Sequence, residues 1–246
     1  MNDKKHKTAI VTGSSKGIGA AIARRLSSDG FAVVVNYAGG QAAAEAVVQS
    51  IRQAGGSAVA VQADIASPTG MASLFDAAEQ AFGTVDVLVN NAGVMLLAPI
   101  VETDDASFTR QVETNLGSVV RGLREAGRRL ADGGRVINLS SSVVGLYQPT
   151  YGVYAATKAA VEALTHIAAK EFGPRSITVN AVAPGPVATD LFLTGKSDAL
   201  VDNIRKMSPL GRLGQPDDIA SVVAFLAGPD AGWVNGQIIR ANGGII

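Results

Sequence analysis

Tyr154 and Lys158 stand four positions apart in Tyr154-Ala155-Ala156-Thr157-Lys158, a spacing that puts a phenol and an ammonium on one helix face, one turn apart. A free tyrosine titrates near about 10, and a cation within about 4–6 Å favours its phenolate; the pair is therefore expected to bring the phenol closer to values where protons exchange at neutral pH. Tyr154 would then serve as general acid toward a carbonyl oxygen. Ser141 lies thirteen positions earlier, in Ser140-Ser141-Ser142, and would hydrogen-bond that oxygen. A hydrolytic serine is the rival reading, but no Gly-x-Ser-x-Gly elbow surrounds Ser141, and the histidines are His6, in the N-terminal tail, and His166.

A second constellation, Thr12-Gly13-Ser14-Ser15-Lys16-Gly17-Ile18-Gly19, follows a short apolar run and precedes a helical pattern. Glycines there let the backbone turn and approach a pyrophosphate, which the helix N-terminus stabilises; a plain strand-to-helix turn is the alternative. The next strand ends Val35-Asn36-Tyr37, where an NAD-specific site would carry an acid for the ribose 2′-hydroxyl. Asn36 and Tyr37 offer none, while Lys16 supplies a cation for a 2′-phosphate. NADP(H) is therefore expected over NAD(H), against the alternative that Lys16 is only a solvated loop lysine.

Repeated strand and helix signals must position these groups. Strands are expected at Ala9 to Thr12, Ala32 to Asn36, Ala58 to Gln62, Val85 to Asn90, Arg135 to Ser140, Thr178 to Val182 and Gln237 to Arg240. Helices are expected from about Gly17 to Asp29, Gln41 to Ala54, Pro68 to Phe82, Asp104 to Leu130, Gly152 to Phe172 and Pro216 to Ala227. Nearly continuous apolar strands indicate burial on both faces, hence an α/β chain with a single doubly wound parallel sheet of about seven strands. One domain is expected over 1–246, with a lid over residues 187–208, where Leu191, Phe192 and Leu193 mix with polar residues.

Only 17% of the 246 residues are charged and 47% are hydrophobic, against about 25% charged in average soluble chains, so a large core is affordable and disorder is not expected. Lys+Arg and Asp+Glu both number 21, leaving no net field and no basic stripe to attract nucleic acid. The absence of cysteine excludes disulfides, thiolate metal sites and cysteine nucleophiles, and no metal is expected. The apolar run from Thr8 to Thr12 is too short for a signal segment, and no window is long enough to span a membrane, so a cytoplasmic location is expected.

Taken in order, Thr12-Gly13-x-x-x-Gly17-Ile18-Gly19, Asn90-Asn91-Ala92-Gly93, the set Ser141, Tyr154 and Lys158, and Pro184-Gly185 resemble the short-chain dehydrogenase/reductase family over essentially the whole chain. The resemblance implies a Rossmann-type fold and Tyr154 as acid/base. It implies that Lys158 also binds the nicotinamide ribose and that Asn115 holds a water in a proton relay to it. It further implies Asp64 and Ile65 beside the adenine, Asn91, Ala92 and Gly93 beside its ribose, and Val187 and Thr189 at the carboxamide. Asn115 is otherwise a polar residue that would kink the long fourth helix.

Within the family, Val35-Asn36-Tyr37-Ala38-Gly39 is similar to 3-oxoacyl-carrier-protein reductases. Asp132 stands where that subgroup tends to carry a basic residue, and Arg175, Arg128 and Arg129 could only partly substitute. An NADPH-dependent reductase of a fairly apolar ketone is therefore favoured, with the carrier-protein thioester as alternative and a catalytically silent dinucleotide-binding regulator as the alternative of another class. Met95, Leu96, Leu97, Leu146, Tyr147 and the lid residues Leu191, Phe192 and Leu193 are candidate pocket walls. The resemblance also implies a homotetramer or dimer. Small residues Ala155, Ala156, Ala159, Ala160 and Ala163 could admit a partner helix or pack within the subunit, and the apolar stretch from Trp233 to Ile246 could join such a contact.

Overall fold

Seven β-branched runs form seven parallel strands in the computed structural model, which describes residues 7–246; His6 lies outside the described residues. In chain order the elements are β1 (Thr8–Val11), α1 (Gly17–Ser28), β2 (Ala32–Tyr37), α2 (Gln41–Gln53), β3 (Ala58–Gln62), α3 (Gly70–Phe82) and β4 (Val85–Asn90). These are followed by α4 (Asp105–Val112), α5 (Ser118–Arg129), β5 (Arg135–Leu139), α6 (Val143–Leu146), α7 (Gly152–Glu171) and β6 (Thr178–Pro184). Last come α8 (Asp190–Leu193), α9 (Asp198–Met207), α10 (Pro216–Ala227) and β7 (Ile238–Ala241).

Strand order is β3-β2-β1-β4-β5-β6-β7, so the winding reverses beside β1, and Val11 pairs with Val35 on one side and Val89 on the other. Alternation along each strand feeds two cores. Ala9, Val11, Val33 and Val35 pack with Leu26, Ile22 and Val223 of α1 and α10. Ile10, Val34, Leu88 and Val136 pack with Phe75, Leu123 and Val161 of α3, α5 and α7. The crevice at the carboxyl ends of β1 and β4, where the order reverses, is where such sheets take ligands.

Two segments depart from expectation. The single helix expected from Asp104 to Leu130 is interrupted by a π-helical turn, Glu113–Gly117, in which Ser118 N–H donates to Glu113 O, one residue beyond the α-helical pattern. β6 continues past Val182 to Pro184, because the proline needs no donor there while its carbonyl accepts Ser142 N–H at 2.9 Å. Residues 187–208 hold two helices, capped by Thr189 and Ser197.

Candidate active site

A cleft of about 1670 Å³ runs along the carboxyl edge of the sheet. One end is the glycine loop, stitched to the loop after β4: Thr12 Oγ1 accepts Asn91 N–H and Ala92 N–H, each at 3.0 Å, and Asn91 Nδ2 donates to Thr12 O at 2.8 Å. Gly13, Ser15, Lys16, Gly17, Ile18 and Gly19 line this end. No side chain caps α1, so the first-turn N–H groups are left to an anion, as a pyrophosphate requires. The residues present therefore fit a dinucleotide.

A Cβ on Gly19 would lie 2.5 Å from both Gly13 O and Asn91 Nδ2, so the loop must shift to admit it. Gly19→Ala is expected to destabilise the fold by about 1–3 kcal/mol and weaken dinucleotide binding. Thermal melting with and without NADPH checks both effects.

Asn36 lines the cleft, but its amide is committed internally. Oδ1 accepts Gly13 N–H at 3.0 Å and Nδ2 donates to Ala63 O at 3.0 Å. Tyr37 is buried in the core packed against α1 and α2 and does not line the cleft. Asp64 lines it with one carboxylate oxygen taken by Ala66 N–H, and Ile65 is buried beside it. Asn91, Ala92 and Gly93 continue the wall. Pro184, Gly185, Val187 and Thr189 form the opposite one, where a Cβ on Gly17 would lie 3.5 Å from Thr189 Cγ2.

At the other end, Ser141, Tyr154 and Lys158 meet. Lys158 is 4% exposed; its Nζ donates to Leu139 O at 2.7 Å and lies 5.8 Å from the centre of the Tyr154 ring. Burial outweighs the expected pull of the ammonium: the Tyr154 phenol is pushed up to about 12 by desolvation, with the Ser141 hydroxyl acting the other way. Desolvation also brings Lys158 down to about 8. The lowered phenol expected from spacing alone is thus corrected, because two groups enclosed together both resist charge. The phenol keeps its proton at neutral pH.

Asn115 does not line the cleft and is completely buried behind it. Its Oδ1 accepts Val94 N–H and its Nδ2 donates to Val94 O, both at 2.8 Å, and Nδ2 also reaches Thr157 Oγ1 at 3.3 Å. Thr157 Oγ1 in turn donates to Tyr154 O. Leu146, Leu191 and Phe192 are cleft walls, together with Met95 and Leu97, whereas Tyr147 is 83% exposed and outside the cleft, a correction to its place as a pocket wall. α6 ends at Tyr147 in a left-handed turn.

Spacing alone missed three participants. Tyr151 lines the cleft with its ring 6.4 Å from that of Tyr154. Thr157 bridges Asn115 to α7, and Asn242 donates to Ser142 Oγ at 3.0 Å beside Ser141. Tyr151 had a legible signal, as a neighbour one turn from Tyr154; Asn242 had none, because it is a hundred residues from its partner.

A family model described as enoyl-(acyl carrier protein) reductase matches residues 13–246. A short-chain type dehydrogenase/reductase of Picea abies is 45% identical over 97% of this chain and 92% of its own. An NADPH-dependent aldehyde reductase-like chloroplastic protein of Arabidopsis thaliana is 43% identical over 98% and 94%. Among solved structures, the angucycline C-6 ketoreductase LanV with bound NADP superposes with a TM-score of 0.93 at 37% identity, covering 97% of this chain and 95% of that one. Matches that span nearly the whole chain, on a glycine loop and a Ser141, Tyr154 and Lys158 cluster at one sheet edge, establish that the chain belongs to the short-chain dehydrogenase/reductase family of oxidoreductases.

Proposed function

We propose that the protein reduces a fairly apolar ketone with NADPH. The observation that carries this reading is the meeting of Ser141, Tyr154 and Lys158 beside Leu146, Leu191 and Phe192 in a cleft whose other end is an uncapped helix N-terminus. A dinucleotide held by the glycine loop, Asn91 to Gly93 and Val187 to Thr189 supplies the hydride when bound. Ser141 hydrogen-bonds the carbonyl oxygen and Tyr154 Oη gives that oxygen its proton. Lys158 then faces the phenolate left behind and stabilises it, while Asn115 fixes the loop at Val94 and, through Thr157, the start of α7. Leu191, Phe192, Leu200 and Ile204 wall this end of the cleft with apolar side chains.

NADPH preference rests on Lys16, which is exposed, has no carboxylate partner among the described residues, and lines the same cleft as a β2 end without an acid. Lys16→Glu is expected to raise the KM for NADPH about 10–100-fold and leave that for NADH within a few-fold, the loss of one charge-assisted contact plus repulsion. An unchanged NADPH KM removes Lys16 from the site. The direct test of the function is NADPH or NADH oxidation with simple ketones, β-keto esters and β-ketoacyl thioesters. Faster NADPH oxidation with simple ketones supports the reading, and activity confined to thioesters replaces it with the carrier-protein alternative.

Charge placement weighs against that alternative. Arg175 is paired with Asp132 at 2.7 Å, Arg129 is held by Asp76, Glu79 and Glu125, and Arg128 reaches Glu125 at 4.0 Å, so all three candidate basic groups already have carboxylate partners. Assembly into a homo-oligomer is supported by the exposed positions of Ala156, Ala159 and Ala163 on α7 beside Ile167. Among the described residues, no helix is long and apolar enough to cross a membrane.

A further inference from the structure

We propose that Arg121 is a positioning residue that couples occupancy of the adenosine end of the cleft to the π turn carrying Asn115, because one guanidinium bonds both segments. This rests on the dinucleotide reading above. Arg121 Nε donates to Ile65 O at 3.3 Å and Nη2 to Ala66 O at 2.8 Å, on the loop that walls the adenosine end. The same Nη2 donates to Glu113 O at 3.1 Å and Glu113 Oε2 at 2.9 Å. Its side chain is only 15% exposed, so these bonds are made largely out of water.

Glu113 O is the acceptor that defines the π turn, since it takes the Ser118 N–H rather than the Gly117 N–H of an α-helical register. π-helical turns are rare and are frequent at functional sites. Here the second donor on Glu113 O is the guanidinium. Gly117 makes room for it: a Cβ there would lie 2.7 Å from Glu113 Oε2 and 2.8 Å from Arg121 Nη2. Asn115, inside the turn, then holds Val94 and Thr157, and Thr157 holds Tyr154 O. An adenosine that orders Ile65 and Ala66 thereby steadies Arg121, the turn and the segment bearing the phenol. The device makes catalytic geometry depend on a bound cofactor without any contact between cofactor and Asn115.

Hydrogen–deuterium exchange on the full chain, with and without NADP+, reads the coupling directly. In the wild type, NADP+ is expected to slow exchange roughly tenfold in peptides covering both 63–68 and 113–119. Arg121→Met keeps the stem and removes the bridge. It is expected to retain protection at 63–68, lose it at 113–119, and lower kcat with a ketone about 10–100-fold while the NADPH KM stays within about threefold. Gly117→Ala, whose Cβ displaces the guanidinium, should reproduce the uncoupling. Protection at 63–68 alone in the wild type overturns the proposal, as does an Arg121→Met protein with both protections intact and kcat within about twofold of wild type. No protection anywhere in the wild type overturns the dinucleotide reading itself.

Discussion

Tyr154→Phe is expected to lower kcat for ketone reduction by roughly 10²–10⁴-fold, the usual contribution of a positioned proton donor, while NADPH binding and Tm stay near wild type. The ring keeps its place beside Lys158, and only the hydroxyl that would protonate the oxygen is removed. The direction of the Tyr154 shift gives the experiment a second arm. With the phenol at about 12 and Lys158 at about 8, the proton is present on Tyr154 across neutral pH, and the first group to titrate on raising pH is the ammonium. Reduction by the wild type should therefore be level below pH 8 and decline above it, as the charge that stabilises the departing phenolate disappears. Oxidation of the corresponding alcohol, which needs the phenolate, should rise only as pH approaches the phenol's own titration at about 12. Turnover by Tyr154→Phe within tenfold of wild type would move the acid to Tyr151, whose ring is 6.4 Å away, and Tyr151→Phe would then be the inactive variant.

Most of the fold was legible because the inner strands are buried on both faces: Ala9 to Val11, Ala32 to Val35 and Val87 to Val89 are apolar regardless of which core each side chain enters, so neither twist nor register affected their identification. Lys16, Gly19, Ser141, Tyr154 and Lys158 were legible because spacing along one element fixes their neighbourhood. What spacing could not supply was burial and long-range pairing. Tyr37 sits one residue from Asn36 on an alternating strand and so enters the core when Asn36 faces the cleft. Tyr147 falls beyond the end of a four-residue helix, where one left-handed residue redirects the chain. The π turn falls at Asn115, where a kink in the fourth helix was expected; that Glu113 O there takes a second donor from Arg121 was not legible. Helix α9, read only as part of a lid, went unrecognised although its signals were present: Ser197 caps it, and Leu200, Ile204 and Met207 recur at helical spacing on the side that faces the cleft.

Lys158→Met should produce the opposite outcomes for activity and stability. Burial lowers the lysine from its ordinary 10.5 to about 8, so at neutral pH the folded protein carries a charge that its surroundings disfavour, at a cost of about 3 kcal/mol for 2.5 units. Methionine fills similar volume without that charge, but Leu139 O loses its 2.7 Å donor, which gives back about 1–2 kcal/mol. The net expectation is a variant more stable by about 1–2 kcal/mol at pH 7, or roughly 2–8 °C in Tm for a chain of this size. The sign follows from proton counts. Between about 8 and 10.5 the unfolded chain holds a proton on this lysine that the folded chain has released, so wild-type stability gains across that window and loses the gain as pH falls through 8. Lys158→Met should lack this rise, which unfolding by denaturant at pH 7 and pH 10 would measure. Ketone reduction by the same variant should fall at least about 100-fold, because the phenolate formed at Tyr154 then faces no cation. Loss of activity with a gain in stability would mark Lys158 as kept against the interest of the fold. Loss of both would show that its hydrogen bond to Leu139 outweighs the buried charge, and would make the lysine a structural strut between α7 and β5 as much as a chemical group.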